Sequence, residues 1–274
     1  MTDPDHQRTP RARADQDEVL SGGIANAGRI IRTADTVRRP LGPQSRGVHA
    51  FLAHLDAAGI EGVPRVLDVV DGYEVLSFIP GMTASDPMPN RLLGLDVLSQ
   101  VCNLQASLHR AADGFVWPAD VPPAVPYVPS GAAGMLVCHN DLNCQNVIFD
   151  GTRVVGAIDF DYSAPVNRLF DIAYMARHWV PFRHVDDLDL EWAGVDQFER
   201  FALICDAHQL SRAERETVVG FALEFFDDVL EVVRARAVAN IGGFNAMWKA
   251  GYERSNRRSK DWLADNRKKL VDRH

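Results

Sequence analysis

The 274-residue chain is predicted to adopt an α+β fold in two lobes, a small β-rich N-terminal lobe and a larger, mainly helical C-terminal lobe. Three observations carry this. Short apolar segments broken by turn residues fill the chain to about residue 79, as strands and hairpins require. Apolar residues at helical spacing take over from Arg91. Between the helical stretches, two carboxylate-bearing turns each follow an apolar run, one within residues 137–149 and one at Ile158-Asp159-Phe160-Asp161. The expected division is a disordered tail over 1–16, a first lobe over 17–79 and a second over 80–274.

Taken in order, Val19-Leu20 leads into a turn containing Gly22-Gly23. Two strands, Arg29-Ile30-Ile31-Arg32 and Thr36-Val37-Arg38-Arg39, then flank a hairpin turn at Thr33-Ala34-Asp35. Glycines let backbone N–H groups approach a phosphate closely, but a glycine pair serves equally as a plain turn. No Gly-Lys-Ser/Thr follows, so this is not a P-loop. Residues 47–58 read as a helix with Val48, Phe51, Leu52 and Leu55 on one face. Residues 63–70 and 73–79 read as strands around Asp71-Gly72, and Pro80-Gly81 then interrupts the chain. Residues 91–111 form a long amphipathic helix, followed by a proline-rich loop over 118–129. Further helices are expected over 170–179, 195–208, 212–237 and 255–270, with Ser211 and Glu214 forming a capping box for the third of these.

Composition narrows the function classes. The hydrophobic share of 46% and charged share of 24% are those of a globular protein. A net charge of −8 argues against a general nucleic-acid binder. There is no apolar run long enough to span a membrane and no apolar signal core at the start, so a cytoplasmic location is expected. Cys102, Cys138, Cys144 and Cys205 form no C-x-x-C pair, which fits reduced thiols. A zinc site at Cys138, His139 and Cys144 fits no common structural spacing. Residues 139–231 hold 18 acidic and 7 basic side chains. That surplus is either a solvated acidic surface or a cleft that focuses field on a cationic substrate.

The chemistry centres on the two turns. Phosphoryl transfer needs a residue to orient the attacking hydroxyl and hard oxygen ligands for Mg²⁺. Asp141 suits the first task, and Asn146 with Asp159 the second. His139-x-Asp141-x-x-x-x-Asn146 followed by Ile158-Asp159-Phe160 matches the order of a kinase catalytic loop and metal loop.

Here the sequence resembles the aminoglycoside phosphotransferase and choline kinase group, small-molecule kinases with a protein-kinase-like two-lobed fold. That group's loops commonly read His-Gly-Asp-Leu-x-x-x-Asn and Ile-Asp-Phe or Ile-Asp-Trp. Asp171-Ile172-Ala173 stands where the group has an acid followed by Leu-Ala, Phe78-Ile79-Pro80-Gly81 resembles its inter-lobe hinge, and Leu108-His109 its helix end before the catalytic loop. The resemblance implies ATP and Mg²⁺ as cofactors and a small-molecule partner; no nucleic-acid or membrane partner is expected from the charge and the apolar runs. It implies that Asp141 orients or deprotonates the acceptor hydroxyl, that Asn146 and Asp159 hold the metal, and that His139 and Asp171 support the loops. Nucleotide contacts would come from Gly22, Gly23, Arg39, Ser77, Ile79 and Ile158.

Three departures stand out. Arginine replaces the usual phosphate-binding lysine, and strand alternation favours Arg39 over Arg38. His49 stands near where the following helix usually carries a glutamate. Val166-Asn167-Arg168 replaces a common Gly-Asp-Pro. The leading expectation is an O-phosphotransferase acting on a cationic antibiotic, with Asp161, Asp186, Asp187, Glu224 and Asp228 as candidate ammonium ligands. The competing readings are a kinase for choline, a sugar or an amino alcohol, with Trp179 and Trp192 as a cation–π wall, and an inactive nucleotide-binding protein.

Overall fold

Five antiparallel strands in the order β1-β2-β3-β5-β4 make up the first sheet of the computed structural model. The structure describes residues 17–20, 29–85, 87–125, 128, 131 and 133–273. The expected tail 1–16 and the Gly22-Gly23 turn lie outside the described residues. Strands β1 (Glu18–Leu20), β2 (Ile30–Thr33) and β3 (Thr36–Pro40) follow the chain, with Ala34 at φ 51° in the hairpin turn. The chain then leaves the sheet through helix α1 (Ser45–Ala57) and returns as the edge strand β4 (Val66–Val70). A turn at Asp71 and Gly72, both at positive φ, sends β5 (Tyr73–Ser77) back between β4 and β3. Arg39 thereby lies directly opposite Glu74. Val48, Phe51, Leu52 and Leu55 of α1 are buried.

Helix α2 (Leu95–Ala111) starts later than its periodicity suggests, because the extended Gly94 separates it from a 3₁₀ turn at Asn90–Leu92. Two further two-stranded sheets follow. One pairs β6 (Ala133–Cys138) with β9 (Ala164–Val166), and the other pairs β7 (Val147–Asp150) with β8 (Arg153–Ala157). Helix α3 (Arg168–Trp179) begins two residues before its expected start, since the Asn167 side chain accepts from Leu169 N and caps it. Asp196 caps α4 (Gln197–Ala207), and the Ser211–Glu214 capping box opens α5 (Arg212–Val238). The short α6 (Phe244–Lys249) had no clear periodic signal, and α7 (Tyr252–Asp272) packs on α5.

One apolar cluster runs from Phe51 of α1 through Val97 and Val101 of α2 to Trp179 of α3 and Val218 of α5. Each large side chain fully buried there contributes roughly 1.5–3 kcal/mol. The segments flanking β4 and β5 are tied to the β7–β8 hairpin by backbone. Met82 and Phe149 exchange two hydrogen bonds of 2.9 and 2.8 Å, and Ala157 N donates to Gly62 O at 2.8 Å. Gly81, at φ 144°, has no room for a side chain, because a Cβ would sit 2.7 Å from Phe149 O. Among the described residues no helix is long and apolar enough to cross a membrane.

Candidate active site

The loop between β6 and β7 is held by buried polar bonds. Asp171, 1% exposed on α3, accepts from Asn140 N at 2.7 Å with one oxygen. Its other oxygen accepts from Gln105 Nε2 at 2.8 Å and bonds His109 Nε2 at 2.7 Å. Burial opposes the charge on Asp171, but His109, His139 and Asn140 outweigh it and hold the carboxyl below the usual range. Asn140 sits at φ 59°, where asparagine is tolerated better than most residues, and stands in for the glycine of the resembling motif. Its Nδ2 donates to Cys138 O at 3.2 Å and Tyr162 O at 3.1 Å. The His139 ring bridges the two loops, donating from Nε2 to Ile158 O at 3.0 Å and accepting from Asp141 N at Nδ1 at 3.2 Å. Burial keeps this imidazole below its ordinary pKa, in keeping with a neutral bridge.

Asp141 is fixed at both oxygens. Oδ1 accepts from Asn143 Nδ2 at 2.9 Å and Oδ2 from Asn146 Nδ2 at 2.9 Å. Tyr174, one helical turn beyond Asp171, lies beside Asp141 and favours its ionised form. Burial raises the Asp141 carboxyl to about 7, and the negative charge of Asp159 adds to the rise. With its amide N–H₂ donating to Asp141, Asn146 turns its carbonyl oxygen away from that bond. Ile158 N donates to Asn146 O at 2.9 Å, which clamps the second loop beside the first. Asp159 follows at φ 64°, a strained position for a non-glycine residue, with its side chain 43% exposed. An amide oxygen and a half-exposed carboxylate are the hard donors that Mg²⁺ takes.

Arg39 meets this pair from the sheet. It is 8% exposed, while Arg38 turns outward over the Tyr73 ring. Its Nε donates to Glu74 Oε1 at 2.5 Å, one terminal nitrogen to Asp159 Oδ1 at 3.3 Å and the other to Asp161 Oδ1 at 2.6 Å. Burial works against its charge, but Asp161, Glu74 and Asp159 together raise its pKa. The second oxygen of Glu74 bonds His49 Nε2. The structure thus pairs His49 and Arg39 through one acid on β5. Sequence reasoning missed Glu74, whose only signal is its place opposite Arg39 across a strand pairing.

Other expected residues land elsewhere or are occupied. The Ser77 hydroxyl accepts from Arg65 N at 2.8 Å, and Ile79 and Ile158 are half-buried. Asp161, an expected ammonium ligand, is paired with Arg39 at 2.6 Å. Asp186 and Asp187 both pair with Arg258, at 3.1 and 2.5 Å. Glu224 is exposed and Asp228 half-buried on α5. Much of the acidic surplus is therefore matched internally. The expected aromatic wall is not formed either. Trp179 is 0% exposed with its Nε1 donating to Leu142 O, and Trp192 is 7% exposed under the Arg200 guanidinium.

The sequence model of the phosphotransferase enzyme family matches residues 119–203, a span that holds Asp141, Asn146, Asp159 and Asp171. A choline/ethanolamine kinase family protein from Mesorhizobium loti has the same fold at TM-score 0.55 and 18% identity, covering 94% of this chain and 88% of that one. The amicoumacin kinase hAmiN, in complex with AMP-PNP, Ca²⁺ and Ami, superposes at TM-score 0.56 and 12% identity, covering 94% and 88%. The chain thus has the kinase-like fold, and its residues 119–203 are similar to the phosphotransferase enzyme family. Over its length it is similar to the trifolitoxin immunity protein of Rhizobium leguminosarum bv. trifolii, with 27% identity over 265 residues, 93% of this chain and 97% of that one.

Proposed function

We propose that this protein transfers the γ-phosphoryl group of ATP to a hydroxyl of a small antibiotic or toxin and so inactivates it. The observation that carries the reading is the meeting of Asp141, Asn146, Asp159 and Arg39 on two hydrogen-bonded loops and one strand. Asp141, fixed at both oxygens, accepts the hydrogen of the acceptor hydroxyl and aligns its oxygen for in-line attack. Arg39 directs its terminal nitrogens at the phosphates. Asn146 Oδ1 and the Asp159 carboxylate would hold Mg²⁺, which when bound neutralises charge on the phosphates. His139 and Asp171 keep the two loops in register.

The antibiotic class is favoured by the immunity protein and the amicoumacin kinase among the similar proteins. The choline reading stands as the alternative through the choline/ethanolamine kinase family protein among the similar structures, but without a wall of Trp179 and Trp192, which are sealed in the core and covered by Arg200, respectively. A cationic acceptor is compatible with the acidic surplus of residues 139–231, although Asp161, Asp186 and Asp187 already serve arginines. The test is ADP release, coupled to a spectroscopic readout, against basic and neutral peptide antibiotics, aminoglycosides, choline and ethanolamine. Turnover with a peptide or aminoglycoside antibiotic, together with growth protection of a sensitive bacterium, is the expected result. Turnover with choline or ethanolamine alone would overturn the antibiotic assignment.

A further inference from the structure

We infer that Glu74 is the positioning residue of the Arg39 guanidinium and that His49 anchors Glu74 from helix α1. This inference builds on the reading of Arg39 as a phosphate contact.

Glu74 is 1% exposed. A carboxylate there costs several kcal/mol unless its oxygens are bonded. Each oxygen has its own partner: Arg39 Nε at 2.5 Å on one, His49 Nε2 on the other. The contact to Arg39 is therefore not the two-pronged fork that arginine usually offers a carboxylate. Glu74 takes only the Nε edge. This fixes the guanidinium plane and leaves both terminal nitrogens pointing at the second loop. There they touch Asp159 at 3.3 Å and Asp161 at 2.6 Å. Those two acids are 43% and 24% exposed at their side chains, against 1% for Glu74. One contact is sealed from solvent, whereas the other two border it, where phosphate oxygens can compete for the guanidinium.

His49 makes the arrangement rigid. It follows Val48, which is buried, on a helix held in the core by Phe51 and Leu52. Its ring therefore reaches Glu74 from a fixed backbone. The acid sits on β5, opposite Arg39 in the strand register, and the helix contributes an imidazole instead of a carboxylate. Without the Glu74 charge, Asp159 and Asp161 are the carboxylates left for Arg39 among the described residues. The guanidinium then tightens onto them and withdraws from an incoming phosphate.

The experiment uses the full chain, with AMP-PNP and Mg²⁺ as the probe in calorimetry and ¹⁵N NMR of arginine Nε–H groups without nucleotide. In Glu74→Gln the Arg39 Nε–H resonance is expected to shift and exchange faster, and the AMP-PNP Kd to rise about tenfold. His49→Gln, whose side chain is 18% exposed, should shift the same resonance and raise Kd about threefold. It carries the test if Glu74→Gln fails to fold. In a double-mutant cycle Arg39→Lys and Glu74→Gln should be strongly non-additive. An unmoved Arg39 resonance with wild-type affinity, a lowered melting temperature with unchanged affinity, or strict additivity would each overturn the inference. If the wild type binds no AMP-PNP, the phosphotransferase reading fails, while the nucleotide-free NMR arm still decides the Glu74–Arg39 contact.

Discussion

Asp171 and Asp141 show how differently two acids of one site are built. Asp171 spends its oxygens on Asn140, Gln105 and His109 and has no face left for a ligand. An asparagine in its place must turn an N–H₂ toward one of those donors. Asp171→Asn should therefore destabilise the protein by roughly 2–4 kcal/mol, read as a loss of melting temperature. Asp141 is held by two amide side chains but is not sealed. Asp141→Ala should keep the fold and nucleotide affinity while lowering kcat by roughly 10²–10⁴-fold, as measured by ADP release. Equal turnover in that variant would remove Asp141 from the chemistry.

At the scale of elements, the end of α3 and the approach to α2 are joined by Arg200 on α4. Its Nε donates to Trp179 O at 2.5 Å and a terminal nitrogen to Leu93 O at 2.6 Å, and its plane lies 5.4 Å over Trp192. Burial lowers its pKa to about 10, so it stays charged at neutral pH. A cation at the last carbonyl of α3 is favourable against the helix dipole. Arg200→Leu removes the charge but orphans two carbonyls. A loss of roughly 2–4 kcal/mol is expected in urea denaturation, with Arg200→Lys falling between the variant and the wild type.

Across the whole molecule, buried imidazoles tie stability to pH. His208 is 9% exposed, and burial, then the charges of His109 and Arg168, lower its pKa from 6.5 to about 4. The folded protein therefore keeps His208 neutral where the unfolded chain takes up a proton. Its contribution is fully present above pH 6.5 and is lost as the pH falls from there toward 4. His208→Gln lacks this penalty. Relative to wild type the variant should gain stability on acidification, by at most about 1.4 kcal/mol per pH unit. Paired melting curves at pH 7.5 and pH 5 check the sign, and a gap that stays constant or moves the other way would refute the assignment.

The amino-acid sequence by itself determined the elements and the candidate chemistry, because both are local. Phe51 and Leu55 one turn apart announce a helix face, and His139, Asp141 and Asn146 occupy a single turn between two apolar runs. Alternation along β3 was enough to turn Arg39 inward and Arg38 out. The tertiary structure decided what those side chains meet. Glu74 lies opposite Arg39 only because β5, not β4, fills the gap beside β3, and strand order is a long-range property that no spacing encodes. The same holds for the acids. Asp186 and Asp187 meet Arg258 because α7 folds against them. Trp179 looks like a wall until the packing of α3 seals it away. Charge and residue type are written in the chain, but whether a group is spent on the protein or left for a substrate depends on which distant segment folds against it.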